Sequence, residues 1–543
     1  MLSAIAFYTF LFLALVVIPT GLVLGVLLFL VYGHQFWKRM GTVSGPAVRS
    51  LARRPAILVF WKRFPRTAAL LGRRLDRHDP WGLPGTIAGI GILLGLWFFI
   101  GVLQDIVAKD PLVILDVRLH NAIPLFRTTG MTWFMLALTQ LGSTAVLALL
   151  CLGVALLALA RNQPRLATTL VLSLAGTGLV SSILKALFGH ARPLDALIQA
   201  NEASFPSGHT LSGTVVYGLL AALLFGSQAR RGTRALGVTL LLLIIVGIGL
   251  SRLYLGVHWP SDVLGSLALA LILLPPPLFF LHYDRHVRWF DTIKSPFSAR
   301  ATGIAGGTVL ILCAGAAAWQ TMRTATLPIE PDSIARPLDI TALPNSVPAD
   351  FPRWSEDLVG GKMEPISLVL VGSQAEMLAA FARAGWARAD LPTPSRVMRE
   401  ALAAIRDQPD PSGPATPAFV ADRPQDLTFE KPDAGFPGIR HRHHTRVWRT
   451  TYCDVVECRP VWVATASFDI GVGISPRLHL PTHRIDPAID KERSLIVTDL
   501  TAVGARELGS ISMTSTLRGK NAAGDPFSTD GRAVLMVLAR QEI

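Results

Sequence analysis

Up to about residue 321 the chain alternates long apolar runs with short polar stretches, and after that the alternation stops. A membrane-crossing helix needs about 20 mostly apolar residues. Eight runs qualify, at roughly 4–32, 86–107, 132–160, 166–188, 208–226, 235–254, 261–281 and 301–321. The run at 4–32 has no basic leader and is much longer than a signal-peptide core, so it predicts a retained helix. Pro275, Pro276 and Pro277 predict a kink or stop at the end of the seventh run. Residues 322–350, punctuated by Pro328, Pro331, Pro337, Pro344 and Pro348, predict a linker. Beyond it the pattern becomes that of a soluble domain. Strands are predicted over 366–371, 461–471 and 494–500, and amphipathic helices over 375–384, with Gly385 as its stop, and 395–406. The expected fold class is an all-α polytopic membrane helix bundle followed by a soluble α/β (α+β) domain. The expected divisions are 1–32, 33–85, a six-helix core at 86–281, 282–321, 322–350 and 351–543.

Composition agrees with this division. The chain is 51% hydrophobic and 16% charged, where soluble proteins carry about a quarter of their residues as charges. The net charge of +14 does not point to nucleic acid, because the excess lies between apolar runs. Segments 33–80, 161–165, 227–234 and 282–300 hold 11, 2, 3 and 4 Lys and Arg. The alternate segments 108–130, 189–207 and 255–260 hold 3, 1 and 0. The positive-inside rule then puts the first set in the cytoplasm, and both termini with the C-terminal domain outside. Segment 33–80 interleaves Trp37, Phe60, Trp61 and Phe64 with its arginines, which suits either a helix in the headgroup region or a solvated loop. Of the four cysteines, Cys151 and Cys313 fall inside apolar runs and read as small core residues.

Chemistry concentrates in three short stretches: Lys185 to Pro193, Pro206-Ser207-Gly208-His209, and Ser251 to Asp262. The first closes the fourth span, the second opens the fifth, and the third joins the sixth to the seventh. Consecutive spans alternate direction, so all three share one membrane face. Ionisable groups there are costly and mark function. Lys185, Arg192 and Arg252 supply three cations suited to a phosphate dianion. Ser207 and Gly208 start a helix, where backbone N–H groups and the dipole favour an anion. His258 and Asp262 are four apart, so the carboxylate can orient the imidazole of a nucleophilic His258. His209 is then the general acid for the leaving alkoxide and later the base for water. The stretches hold no carboxylate cluster for Mg²⁺, so the cations must take its place.

Lys185-x6-Arg192-Pro193, Pro206-Ser207-Gly208-His209 and Ser251-Arg252-x5-His258-x3-Asp262 resemble the three signature motifs of the type-2 phosphatidic acid phosphatase family, whose superfamily includes the vanadium haloperoxidases. The resemblance covers roughly 86–281. It implies phosphate binding by Lys185, Arg192, Ser207, Gly208 and Arg252, with His258 as nucleophile, His209 as acid and Asp262 as orienting group. No metal or other cofactor is implied. The expected partners are a lipid phosphate or pyrophosphate substrate and membrane lipids, at the periplasmic face of a bacterial inner membrane. Alternatives are a phosphotransferase using the same site, a haloperoxidase, or a scaffold with a vestigial site.

Other residues carry plainer expectations. His190 matches no motif position and reads as interfacial, and Glu202 reads as a solvated loop residue. In the C-terminal domain, Arg440 to Trp448 is dense in basic groups and is expected to be a solvated basic strand. Metal binding by His441 and His443 with His479 and His483, or binding of anionic groups, remains open. Cys453 and Cys458 either form a hairpin disulfide or stay free. His443 to Trp448 and His483 to Asp490 resemble the LssY C-terminal domain over roughly 335–540, which implies no established activity.

Overall fold

The computed structural model describes residues 63–540 except 77–78, 80, 109–110, 228, 284–298, 325, 327–334, 391–395, 397–416, 434, 436–440 and 475–480. The expected span at 4–32, residues 33–62 of the basic segment, nearly all of the expected helix at 395–406, and His479 lie outside the described residues. The chain divides into two compact units. One holds the apolar helices to Ile329, and the other joins Pro111–Arg127 to Glu330–Ile543.

The helices are α1 (Pro65–Arg74), α2 (Leu83–Ala108), α3 (Pro111–Ala122), α4 (Thr129–Gln140), α5 (Thr144–Ala160), α6 (Pro164–Phe188), α7 (Gly208–Gly226), α8 (Arg231–Tyr254), α9 (Pro260–Leu273), α10 (Pro275–Tyr283) and α11 (Ala299–Arg323). Among the described residues, six stretches are long and apolar enough to cross a membrane, or seven if α4 and α5 count as one broken span. Helix α7 is enclosed by its neighbours, whereas α2, α6 and α11 leave most of their apolar surface open. Leu93, Trp97, Leu172, Leu187 and Ile311 are each more than 60% exposed. Outward apolar faces of this kind are stable only against lipid.

The run at 132–160 is not one straight helix, because α4 and α5 meet at a 47° bend. Ser143 caps α5 by accepting the Val146 N–H at 3.4 Å. At the bend Gly142 lies so close to α7 and α8 that a Cβ would sit 2.7 Å from Ile248 and 3.1 Å from the His209 carbonyl oxygen. Hydropathy does not register such a break, since both halves are apolar. The three prolines act as expected: α9 ends at Leu273 and α10 begins at Pro275. At Gly265 of α9 a Cβ would come within 2.4 Å of the buried Phe205 ring, which stacks on Phe99. This close approach pins the loop before α7 against α9.

The other unit is built on a mixed sheet, whose main strands are β1 (Leu368–Val371), β2 (Leu427–Pro432), β3 (His441–Asp454), β4 (Pro460–Ala464), β5 (Ser467–Ile474), β6 (Pro481–Ile485), β7 (Arg506–Ser512) and β8 (Arg532–Val537). Their order is β6-β5-β3-β4-β1-β8-β7, with β2 on β3; β8 runs parallel to β1. The strand expected at 366–371 is the fully buried β1. The helix expected at 375–384 is α12 (Gln374–Arg383), capped by Ser373 and ended before Gly385, whose φ of +82° suits glycine.

Two expectations fail here. Residues 461–471 form two strands, β4 and β5, separated at Thr465 and Ala466. Residues 494–500 belong to α13 (Ile489–Ala502), not to a strand. Ile489, Glu492, Arg493, Ile496 and Leu500 are buried at helical spacing, and that period outweighs the short apolar run Leu495–Val497.

Helix α3, which the apolar pattern does not mark, belongs to this unit. Its buried Arg118 donates to Asp422 at 2.8 Å, pairs with Glu356, and covers the Phe419 ring at 5.5 Å. Cys453 and Cys458 are joined by a disulfide, and Cys151 and Cys313 are free and buried. The strand expected to be solvated is largely interior. Arg442 lies between Glu430 (2.7 Å) and Asp469 (3.2 Å), and His444 Nδ1 is 3.2 Å from Asp469. His443 Nδ1 is 2.9 Å from Glu492 of α13. These polar side chains are buried because neighbouring strands and α13 supply carboxylates, which the strand's own sequence does not reveal. No group of three or more metal-ligating side chains forms among the described residues.

Candidate active site

Four helix ends build the site. Helix α6 stops after Lys185, with Gly189 at φ +54° donating its N–H to the Lys185 carbonyl at 3.0 Å. The loop from 189 to 207 is held to the end of α8 by the Leu197 N–H on the Leu255 carbonyl (2.9 Å). Ser207 is the N-cap of α7, fully buried, and its N–H reaches the Asp262 carbonyl at 3.4 Å. Ser266 of α9 donates to the Ser207 carbonyl at 3.1 Å, so the starts of α7 and α9 are fixed together.

His258 is 2% exposed and Asp262 is wholly buried. Asp262 Oδ2 accepts the Trp259 N–H at 2.9 Å and lies 3.2 Å from His258 Nδ1. The other ring nitrogen, Nε2, lies 3.3 Å from Arg192 Nη1. Arg192 is held in turn by backbone carbonyls: Nε donates to Glu202 at 2.6 Å, Nη2 to Ala203 at 3.5 Å, and Nη1 to Val257. Burial pushes the His258 imidazole down to about 4, outweighing the Asp262 hydrogen bond that raises it. The ring is therefore neutral near pH 7, as a nitrogen nucleophile must be.

Arg252 is 4% exposed, and its Nη1 donates to Thr139 Oγ1 at 2.8 Å while its buried Nε has no partner among the described residues. A buried guanidinium N–H left open in this way calls for an acceptor. Lys185 Nζ lies 2.5 Å from Glu202 Oε2. His209, in the first turn of α7, interacts electrostatically with Arg252, His258, Lys185 and Arg192. The three stretches singled out in the sequence thus come together at one end of the helical unit.

Three residues join them that the sequence did not mark as part of the site. His190 is not merely interfacial, since its Nδ1 lies 3.1 Å from Asp262 Oδ1. Ser204 Oγ lies 3.0 Å from His190 Nδ1. Thr139 holds Arg252 from 113 positions away. Nothing in the sequence signals these pairings, which depend on how helix ends meet. Glu202 is 76% exposed, in line with a loop residue, yet it is also the anion on Lys185.

Comparison with known proteins places these residues in context. Residues 166–284 match the PAP2 superfamily model and 348–533 match the LssY C-terminus model. Phosphatidylglycerophosphatase B of Bacillus subtilis (strain 168) is 28% identical over 208 residues, which is 36% of this chain and 97% of that protein. The putative undecaprenyl-diphosphatase YbjG of Escherichia coli (strain K12) is 36% identical over 116 residues, 20% of this chain and 54% of that protein. Among solved structures, the transmembrane PAP2 type phosphatidylglycerolphosphate phosphatase from Bacillus subtilis is similar at 26% identity and a TM-score of 0.33, covering 36% of this chain and 99% of that one.

Proposed function

We propose that this chain, which carries a PAP2 superfamily domain and an LssY C-terminal domain, hydrolyses lipid phosphates through a phosphohistidine formed on His258 at the outer face of the membrane. Its relatives are phosphatases of lipid phosphates. The observation that carries the mechanism is the setting of His258, with Asp262 at Nδ1 and a guanidinium at Nε2. A phosphoryl group bound at Nε2 lies where Arg192 can grip it.

In this reading Lys185, Arg192, Arg252, the Ser207 hydroxyl and the Gly208 N–H hold the phosphate oxygens, and the open Nε of Arg252 gains its acceptor. The His258 Nε2 lone pair attacks phosphorus. The phosphorus–oxygen bond to the lipid breaks, and the leaving oxygen takes a proton from His209. Asp262 supports the positive charge that develops on the His258 ring. In the second step His209 accepts a proton from water, the water oxygen attacks phosphorus, the phosphorus–nitrogen bond breaks, and phosphate leaves. The fixed cations stabilise charge on the transferring group in both steps.

The excess of Lys and Arg in alternate segments supports an outward-facing site in a bacterial cytoplasmic membrane, with the C-terminal domain also outside. The substrate class is phosphatidate, phosphatidylglycerol phosphate or a polyprenyl diphosphate, with 86–281 as the catalytic core. The test is phosphate release from a panel of these lipids by detergent-purified protein in excess chelator, beside His258→Ala. Chelator-resistant release that His258→Ala abolishes is expected. Release that survives in the variant would remove the phosphohistidine from the mechanism, and release that chelator abolishes would remove its metal independence.

A further inference from the structure

Asp262 has two carboxylate oxygens, and the nucleophile uses only one. Oδ2 faces His258 Nδ1 at 3.2 Å and accepts the Trp259 N–H at 2.9 Å. Oδ1, on the opposite side, faces His190 Nδ1 at 3.1 Å and Ser204 Oγ at 3.4 Å. The carboxylate is fully buried between two imidazoles that come from different loops. From this geometry we infer that His190 is a positioning residue for catalysis, which sets the plane and charge of Asp262 and through it the tautomer of His258.

The hydrogen bonds around His190 allow a consistent proton arrangement. Ser204 has one hydroxyl hydrogen and lies 3.0 Å from the His190 carbonyl and 3.1 Å from the Ala191 carbonyl. Both are acceptors, so the hydroxyl donates to backbone. The Ser204 N–H also donates to the His190 carbonyl, at 2.8 Å. His190 Nδ1 then carries a hydrogen, shared between Asp262 Oδ1 at 3.1 Å and the Ser204 hydroxyl oxygen at 3.0 Å. Asp262 receives a further donor from the Trp259 N–H, on its other oxygen. A carboxylate fixed at both oxygens cannot rotate away from His258 Nδ1, and that leaves Nε2 as the unprotonated nitrogen facing Arg192. His190 itself touches no reacting atom in this scheme, so its effect should fall on turnover and not on substrate capture.

This inference rests on the phosphohistidine reading, and one set of variants separates the two. Steady-state kinetics on a lipid phosphate would be measured for wild type, His190→Ala, His190→Asn and His258→Ala, each with its thermal unfolding midpoint. The Asn side-chain amide reaches the place of imidazole Nδ1 and can donate to Asp262. His190→Ala is expected to lower kcat roughly tenfold to a hundredfold, by analogy with the loss when a group that orients a metal-bound histidine is removed. Its KM should stay within about threefold of wild type, since a positioning residue does not bind substrate. His190→Asn should recover most of the lost kcat at an unfolding midpoint equal to that of His190→Ala. Wild-type kcat in His190→Ala would overturn the inference, as would a loss that tracks the unfolding midpoint and that Asn does not rescue. Activity retained in His258→Ala would instead overturn the phosphohistidine reading itself.

Discussion

Arg192 Nη1 lies 3.3 Å from His258 Nε2, on the side of the ring away from Asp262. Arg192 thus places a cation within hydrogen-bond distance of the nitrogen assigned as nucleophile. Three backbone carbonyls, of Val257, Glu202 and Ala203, hold its guanidinium in place. Lysine has neither the fork nor the number of donors to keep these contacts while facing a phosphate. Arg192→Ala is expected to lower kcat/KM by about a hundredfold to a thousandfold, the cost of one preorganised transition-state donor. Arg192→Lys should recover less than a tenth of the loss. Initial rates on a lipid phosphate, in protein with a wild-type elution profile, would check both; full activity in Arg192→Lys would show that charge alone suffices.

Glu202 places a carboxylate on Lys185 and a backbone carbonyl on Arg192. A substrate phosphate that binds Lys185 competes with this carboxylate for the ammonium charge. The Lys185 hydrogen bond and charge hold the Glu202 carboxyl below the usual range. It is therefore ionised, and competing, at all pH values above that lowered range. Glu202→Gln is expected to lower KM for an anionic lipid phosphate by about two- to fivefold, as suits an exposed ion pair. The gap should close as pH falls through the titration of Glu202, where wild type also loses the charge. KM measured across that range in both proteins is the check, and a constant ratio would assign the effect to something other than the carboxylate.

The sequence exposes the membrane core and most of the site because the signals are dense there. Runs of 20 apolar residues admit few readings, and Lys185, Arg192, Ser207, Arg252, His258 and Asp262 stand out against them. His190 is legible as a residue but not as a partner, because Asp262 lies 72 positions away and only the meeting of two helix ends joins them. The bend at Gly142 is hidden for a similar reason, since the contacts that demand a glycine come from α7 and α8. In the C-terminal domain the pattern misleads where charge is buried. Arg442 and His444 look solvated until β2 and β5 bring Glu430 and Asp469 beside them. Residues 494–500 look like a strand until Glu492 and Arg493 are counted on the buried face of α13.

Buried charge in that domain also sets a pH dependence of stability. Asp525 is 7% exposed and its carboxyl is pushed up to about 6, chiefly by burial, with Glu364 and Asp469 adding to the rise against Arg484 and Asn521. In the unfolded chain the same group titrates near its ordinary value of about 3.9. Below that value both states are protonated and Asp525 contributes nothing to the pH dependence. Between there and about 6 the unfolded state loses its proton first, so stability falls as pH rises. Above about 6 the full penalty of a buried charge is present. Asp525→Asn removes the titration and keeps the shape. The variant is expected to unfold at the wild-type temperature near pH 4 and at a higher temperature than wild type at pH 7.5. Tryptophan fluorescence followed through the unfolding of the full chain in detergent at both pH values tests this. An equal shift at both would mean that Asp525→Asn acts through packing, and a lower midpoint at pH 7.5 would mean that the ionised carboxylate is a net stabiliser.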